Sequence, residues 1–178
     1  LLPEMRDALF AGHTGNDGSA ISWGRALGAR LADLGGYQGH GSWAVSQGAL
    51  ISWALMMEGG IQLNARGERF HDETQGYSEA AVHVLAQPGG VAWNVFDGPI
   101  LELARSFPDF CAAEAAGALR TCADAQALAA LIGCDATNII AACVQTTRTI
   151  GINSTQNASL NAANSATQAK RPLQAPFY

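Results

Sequence analysis

Lysine is almost missing from these 178 residues: Lys170 stands alone beside nine arginines, and the net charge is -5. No basic stretch is available to lie along a phosphate backbone, which argues against a nucleic-acid-binding surface. Charge of either sign is scarce at 14%, so Ser, Thr, Asn, Gln and Gly carry most of the polar surface, a composition suited to docking on another domain. Long apolar runs are missing too. The longest, from 49 to 57, is broken by Ser52 and falls far short of the ~20 residues that span a bilayer. The four cysteines, Cys111, Cys122, Cys134 and Cys143, form no C-x-x-C pair, which argues against a metal site and favours reduced, packed thiols. The first residues include Glu4 and Asp7 and show no basic-then-apolar leader, so the expected location is cytoplasmic. Finally, no G-x-G-x-x-G element joins a strand to a helix, so a self-contained dinucleotide-binding fold is not expected.

What is present is an apolar fraction of 48%, enough at this length for one domain burying about two thirds of its unfolded surface. From 19 to 34, Trp23, Leu27, Leu31 and Leu34 fall on one helical stripe, with Asp17 or Ser19 to cap it and Gly35-Gly36 to stop it. Residues 37–45 read as extended, and 48–58 as one buried helix stopped by Gly59-Gly60. Tyr77, Ala81 and Val84 mark another helix, 91–96 a strand, and 99–107, 124–132 and 136–146 three more helices. Residues 149–169 are almost all Asn, Ser, Thr, Ala and Gln and read as a solvent-exposed loop. The fold class is α+β.

The densest signal is Gly59-Gly60-Ile61-Gln62-Leu63-Asn64-Ala65-Arg66-Gly67-Glu68-Arg69-Phe70-His71-Asp72-Glu73. Ile61 and Leu63 alternate with Gln62 and Asn64 as in a strand with one buried face, and Ala65-Arg66-Gly67 turns the chain. Arg69, His71, Asp72 and Glu73 then gather ionisable groups just beyond the turn. His71, with an ordinary pKa of about 6.5, is placed to titrate near neutrality. Arg69 and Glu73 are expected to pair and brace the hairpin.

This pattern resembles the flavoprotein family of fumarate reductase and succinate dehydrogenase. The resemblance takes in His40 upstream, the strand ending at Asp97, the Thr14-Gly15-Asn16-Asp17-Gly18 turn, Gly28-Ala29 and Ala175-Pro176-Phe177-Tyr178. Gln87-Pro88-Gly89-Gly90-Val91-Ala92-Trp93 and Trp23-Gly24-Arg25-Ala26-Leu27-Gly28 resemble its tricarballylate dehydrogenase-like branch.

The resemblance implies a mobile capping domain that closes over substrate beside FAD, the cofactor being held mainly by sequence outside this chain. It implies three parts: 1–36 as an edge of the FAD-binding domain, 37–148 as the capping domain, and 149–178 as a polar loop and return segment. It places His40 where a histidine clamps a substrate carboxylate, with Trp53 and Arg69 also at the substrate. Thr14, Gly15 and Asp17 fall where a turn touches FAD. Tyr77 occupies the position at which fumarate reductases carry a proton-delivering arginine, which counts against fumarate reduction and makes Tyr77, with His71, the acid/base candidate. Trp53 and Met56 replace the acid and base of a proton relay. The expected function is the cap of an FAD-dependent oxidoreductase acting on a small organic acid, its partners being that acid and the FAD-binding domain. The segment alone is expected to be inactive. The alternatives are a non-catalytic ligand-binding or docking module, or the cap of a ketone or steroid dehydrogenase.

Overall fold

The computed structural model describes residues 2–143 and 173–178; the expected polar loop at 149–169 and the end of the last expected helix lie outside them. The chain divides into two units, Leu1–Gln38 and Gly39–Tyr178.

In the first unit a single α-helix, α1 (Ser19–Ala26), follows a short 3-10 turn at Pro3–Met5. Asp17 Oδ1 accepts the Ser19 N–H at 2.9 Å. The helix was expected to reach Leu34 and stops eight residues sooner, because Gly28 turns left-handed at φ 81°. Ala29 then donates its N–H back to the Gly24 carbonyl at 2.9 Å, closing the helix end in the way glycine favours. The Trp23–Leu34 stripe is therefore cut in two. No described residue of this unit is buried; Phe10, Trp23 and Leu27 are 74%, 67% and 88% exposed.

The second unit is α+β. Two-residue strands β1 (Trp43–Ala44) and β2 (Ala49–Leu50) pair antiparallel, Trp43 opposite Leu50. The segment from 48 to 58 is thus not one helix. Gly48 takes a left-handed turn, the Ile51 N–H bonds the Ser42 carbonyl at 3.1 Å, and only α2 (Ala54–Met57) is helical. Strand pairing has taken backbone groups that a longer helix would use.

Strand β3 (Ile61–Leu63) pairs antiparallel with β4 (Trp93–Val95), Gln62 opposite Asn94. A turn bonds the Gly67 N–H to the Asn64 carbonyl, and Leu63 meets Arg69 in one bridge. Alternation predicted one buried face, yet Ile61, Gln62, Leu63 and Asn64 are all at most 1% exposed. The polar face is roofed by hydrogen-bonding side chains instead of water.

Helix α3 (Tyr77–Leu85) follows, then α4 (Gly98–Ala104), α5 (Pro108–Ala115), α6 (Ala125–Ile132) and α7 (Ala136–Cys143). Asp124 and Asp135 accept N–H groups at the starts of α6 and α7, and a left-handed Gly133 ends α6. The sequence reading missed α5, although Pro108 and Asp109 in its first turn are start signals. Leu55, Met56, Ile61, Leu63, Val95, Leu101, Leu128 and Ile139 share one core cluster. Phe177 exchanges backbone hydrogen bonds with Cys122, and Tyr178 with Phe96, tying the return segment to that core.

All four cysteines are free thiols. No single helix among the described residues is long and apolar enough to cross a membrane; α6 and α7 meet that test only as a pair bent by 120°.

Candidate functional site

His40 sits in a glycine-flanked loop that the backbone fixes at both ends. The Gly39 N–H donates to Ser78 Oγ at 3.1 Å, and the Gly41 N–H to the Tyr77 carbonyl at 2.9 Å. The loop is therefore pinned to the first turn of α3. Gly41 has no room for a side chain, since a Cβ there would lie 2.6 Å from Ala80 Cβ. This explains the glycine as a close approach of loop to helix.

The Ser42 N–H donates to His40 Nδ1 at 3.1 Å. An N–H can donate only to an unprotonated ring nitrogen, so Nδ1 is the acceptor and Nε2 carries the proton of a neutral ring. Burial pushes the His40 pKa below its ordinary value of 6.5, which favours the same state. His40 stacks on Tyr77 with ring centroids 5.0 Å apart and meets Trp53 edge-on at 6.2 Å.

These three aromatic rings border a cavity of about 410 Å³ completed by Leu50, Ser52, Ala54, Phe107, Pro108 and Asp109. That size lies within the roughly 300–1,000 Å³ of small-molecule sites. The fold thus joins three of the expected site residues, His40, Trp53 and Tyr77. Phe107, Pro108 and Asp109 enter from the start of α5, the helix missing from the sequence reading.

Arg69 and His71 do not line this cavity. Arg69 forms a two-pronged ion pair with Glu73, their side chains 10% and 2% exposed. The pair was expected as a brace, and it is a buried one. Glu73 Oε1 also accepts the Gln62 N–H at 2.8 Å, and its carbonyl accepts the Trp53 indole N–H at 3.1 Å. A buried carboxylate so placed aligns β3 and holds one wall of the pocket.

His71 meets Gln62 Oε1 through Nε2 at 2.8 Å and stacks on the exposed His83 at 5.3 Å. Gln62 Nε2 donates to the Gly41 carbonyl and to Asn94 Oδ1, and Asn94 Nδ2 donates to Ser42 Oγ. These acceptors fix the orientation of both amides, so His71 Nε2 must be the donor to Gln62. The result is a continuous chain of hydrogen bonds from His71 through Gln62, Asn94 and Ser42 to the loop carrying His40. Amide side chains fix position and do not pass protons readily, so this network holds the loop in place. Burial lowers the His71 pKa as well, with the neighbouring Glu73 charge opposing it.

In the first unit, Thr14, Gly15 and Asp17 lie in an exposed turn. Its amides are largely satisfied within the turn: Gly15 donates to His13 Nδ1, Asn16 to the His13 carbonyl and Ser19 to Asp17. The hydrogen bonds that Asp17 receives from the Ser19 backbone and side chain hold its pKa below the usual carboxylate range. Gly18 and Gly28 have open space where a side chain would be. Such a donor set fits an edge contact with a flavin cofactor and does not form a cradle for a pyrophosphate.

A family profile described as FAD binding domain matches residues 1–166. The chain belongs to this family of FAD-dependent flavoprotein oxidoreductases. It is 27% identical over 103 residues to "Probable fumarate reductase Ifc3" of Shewanella frigidimarina, covering 58% of this chain and 18% of that protein. It is 30% identical over 95 residues to the NADH:fumarate oxidoreductase of Klebsiella pneumoniae, covering 53% of this chain and 10% of that one. The solved open conformation of a flavocytochrome c3 fumarate reductase superposes with a TM-score of 0.63 at 22% identity, over 99% of this chain and 30% of that one. The α+β fold is therefore that of a fumarate reductase flavoprotein, and FAD is the cofactor. The chain spans less than a fifth of the length of these curated relatives.

Proposed function

We propose that Gly39–Tyr178 is the substrate-covering part of an FAD-dependent oxidoreductase acting on a small organic molecule, with the cavity at His40, Trp53 and Tyr77 as its share of the substrate site. The observation that carries this reading is the fixed tautomer of His40. A backbone N–H holds one ring nitrogen, which turns the other into a defined donor beside a cavity of suitable size.

FAD, when bound, supplies the hydride chemistry. Thr14, Gly15 and Asp17 are assigned to its edge, with the rest of its contacts supplied by sequence outside this chain. The chain's own residues do the remainder. His40 Nε2–H binds and orients a substrate oxygen, and Trp53 and Phe107 exclude water from that contact. Tyr77, stacked on His40, is assigned the acid/base role. His71 and Arg69 act through position: His71 anchors Gln62, and Arg69 holds the buried Glu73 carboxylate.

The organic-acid reading is supported by the His40 donor, which suits one carboxylate oxygen. A second reading, a ketone substrate, is favoured by the lining, which holds no arginine or lysine. Tyr77→Phe tests the acid/base assignment. Turnover per bound flavin should fall about a hundredfold or more while the flavin absorption spectrum is retained; undiminished turnover would remove Tyr77 from the chemistry.

A further inference from the structure

The N–H that donates to His40 Nδ1 belongs to Ser42, so it shares a peptide unit with the Gly41 carbonyl. That peptide is trans, and its N–H and C=O therefore point in opposite directions. On the carbonyl side, Gln62 Nε2 donates to Gly41 at 2.7 Å. One peptide thus connects a side chain on β3 to the ring of His40.

Gln62 is itself held on every side. It is 1% exposed, its Nε2 also donates to Asn94 Oδ1 at 2.8 Å, and its Oε1 accepts from His71 Nε2 at 2.8 Å. A carbonyl can only accept, so the amide must present its nitrogen to Gly41. Asn94 grips the same peptide from its other end, Nδ2 donating to Ser42 Oγ. Gly41 and Ser42 are buried, so a donor lost from the Gly41 carbonyl is costly to replace. Without Gln62, the glycine side of this peptide is free to turn over and bring its carbonyl toward Nδ1. Nδ1 must then carry the proton, and Nε2 becomes an acceptor that cannot hold a substrate oxygen.

We propose that Gln62 is a positioning residue: by holding the Gly41 carbonyl it fixes His40 as the Nε2–H tautomer, with Asn94 as the second anchor of the same peptide. This rests on the reading of His40 as the substrate donor.

The test reads the proton itself. Flavin-loaded protein carrying nitrogen-15 histidine is measured by NMR at pH 7.5, the His40 signals being assigned by their loss in His40→Ala. The unaltered protein should show a protonated Nε2 and an unprotonated Nδ1. Gln62→Met, close in volume and without a donor, should move the two nitrogen signals toward each other as the tautomers mix, and kcat/KM per bound flavin should fall about tenfold, as for one lost hydrogen bond. The double variant Gln62→Met/His40→Ala should fall no further than His40→Ala, because both changes act through one ring. Asn94→Ala should shift the signals the same way by a smaller amount, and it carries the test if Gln62→Met does not fold. Nitrogen signals unmoved in the folded variant, or losses that simply add in the double variant, overturn this inference and leave the substrate-site reading standing. Turnover indifferent to His40→Ala, with the tautomer still answering to Gln62, overturns the substrate-site reading instead.

Discussion

The two units of this chain treat their apolar residues in opposite ways. Gly39–Tyr178 buries Leu55, Ile61 and Leu63 completely and places a two-pronged ion pair and two amide side chains under the same roof. Leu1–Gln38 leaves Phe10, Trp23 and Leu27 largely in water and has no buried described residue. A segment with so many uncovered large side chains owes little stability to its own packing. The second unit carries its own core and a defined pocket. Glycine-rich motifs of similar strength in the sequence therefore sit in different settings: the turn near Asp17 is exposed, and the loop at His40 is pinned to α3.

The comparison breaks most decisively at Glu73. Glu73→Ala leaves the Arg69 guanidinium buried without its partner and releases the Gln62 N–H, so the second unit should lose about 3–5 kcal/mol in chemical denaturation. A loss under about 1 kcal/mol would show that this network does not organise the unit. Gly41→Ala comes next. The new methyl group meets Ala80, and the strain should cost about 1–3 kcal/mol and displace the His40 loop, weakening ligand binding at the same time. An alanine variant of full stability and unchanged binding would contradict the close approach.

Acid acts more gently. His40 and His71 both have pKa values below 6.5, chiefly through burial. As pH falls through 6.5 the unfolded chain takes up protons before the folded one, so the stability these groups contribute is complete above that value and is lost below it. The Tm should therefore fall between pH 7 and pH 5, and a Tm that rises over that interval would contradict the burial of these rings. The smallest effect belongs to the first unit. Trp23→Ser should change the stability of the second unit by less than about 0.5 kcal/mol; a larger loss would show that Trp23 belongs to a shared core.

Much of this was legible in the sequence. Helices α3, α4, α6 and α7 carried apolar periodicity or capping residues, and the α+β class followed from them. The early stop of α1 depended on Gly28 choosing a left-handed conformation, which composition alone does not reveal because glycine is also tolerated inside helices. The stretch from 48 to 58 misled for a different reason: a short apolar run suits a strand or a buried helix equally, and the long-range Trp43–Leu50 pairing settled it. His40, Trp53 and Tyr77, singled out in the sequence, come together along one cavity. Arg69 and His71 were placed near chemistry by their types, while burial commits Arg69 to Glu73 and ties His71 to Gln62. The part played by Asn94 and Ser42 had no local signal, since it arises from the meeting of β4 with the loop after His40.

The central claim is that the pocket donor is His40 Nε2–H, and turnover per bound flavin in His40→Ala tests it most directly. A fall of about a hundredfold or more in kcat/KM, with flavin content and Tm preserved, is the result expected when a positioned donor is removed. Unchanged kcat/KM in a folded, flavin-loaded variant would contradict the account.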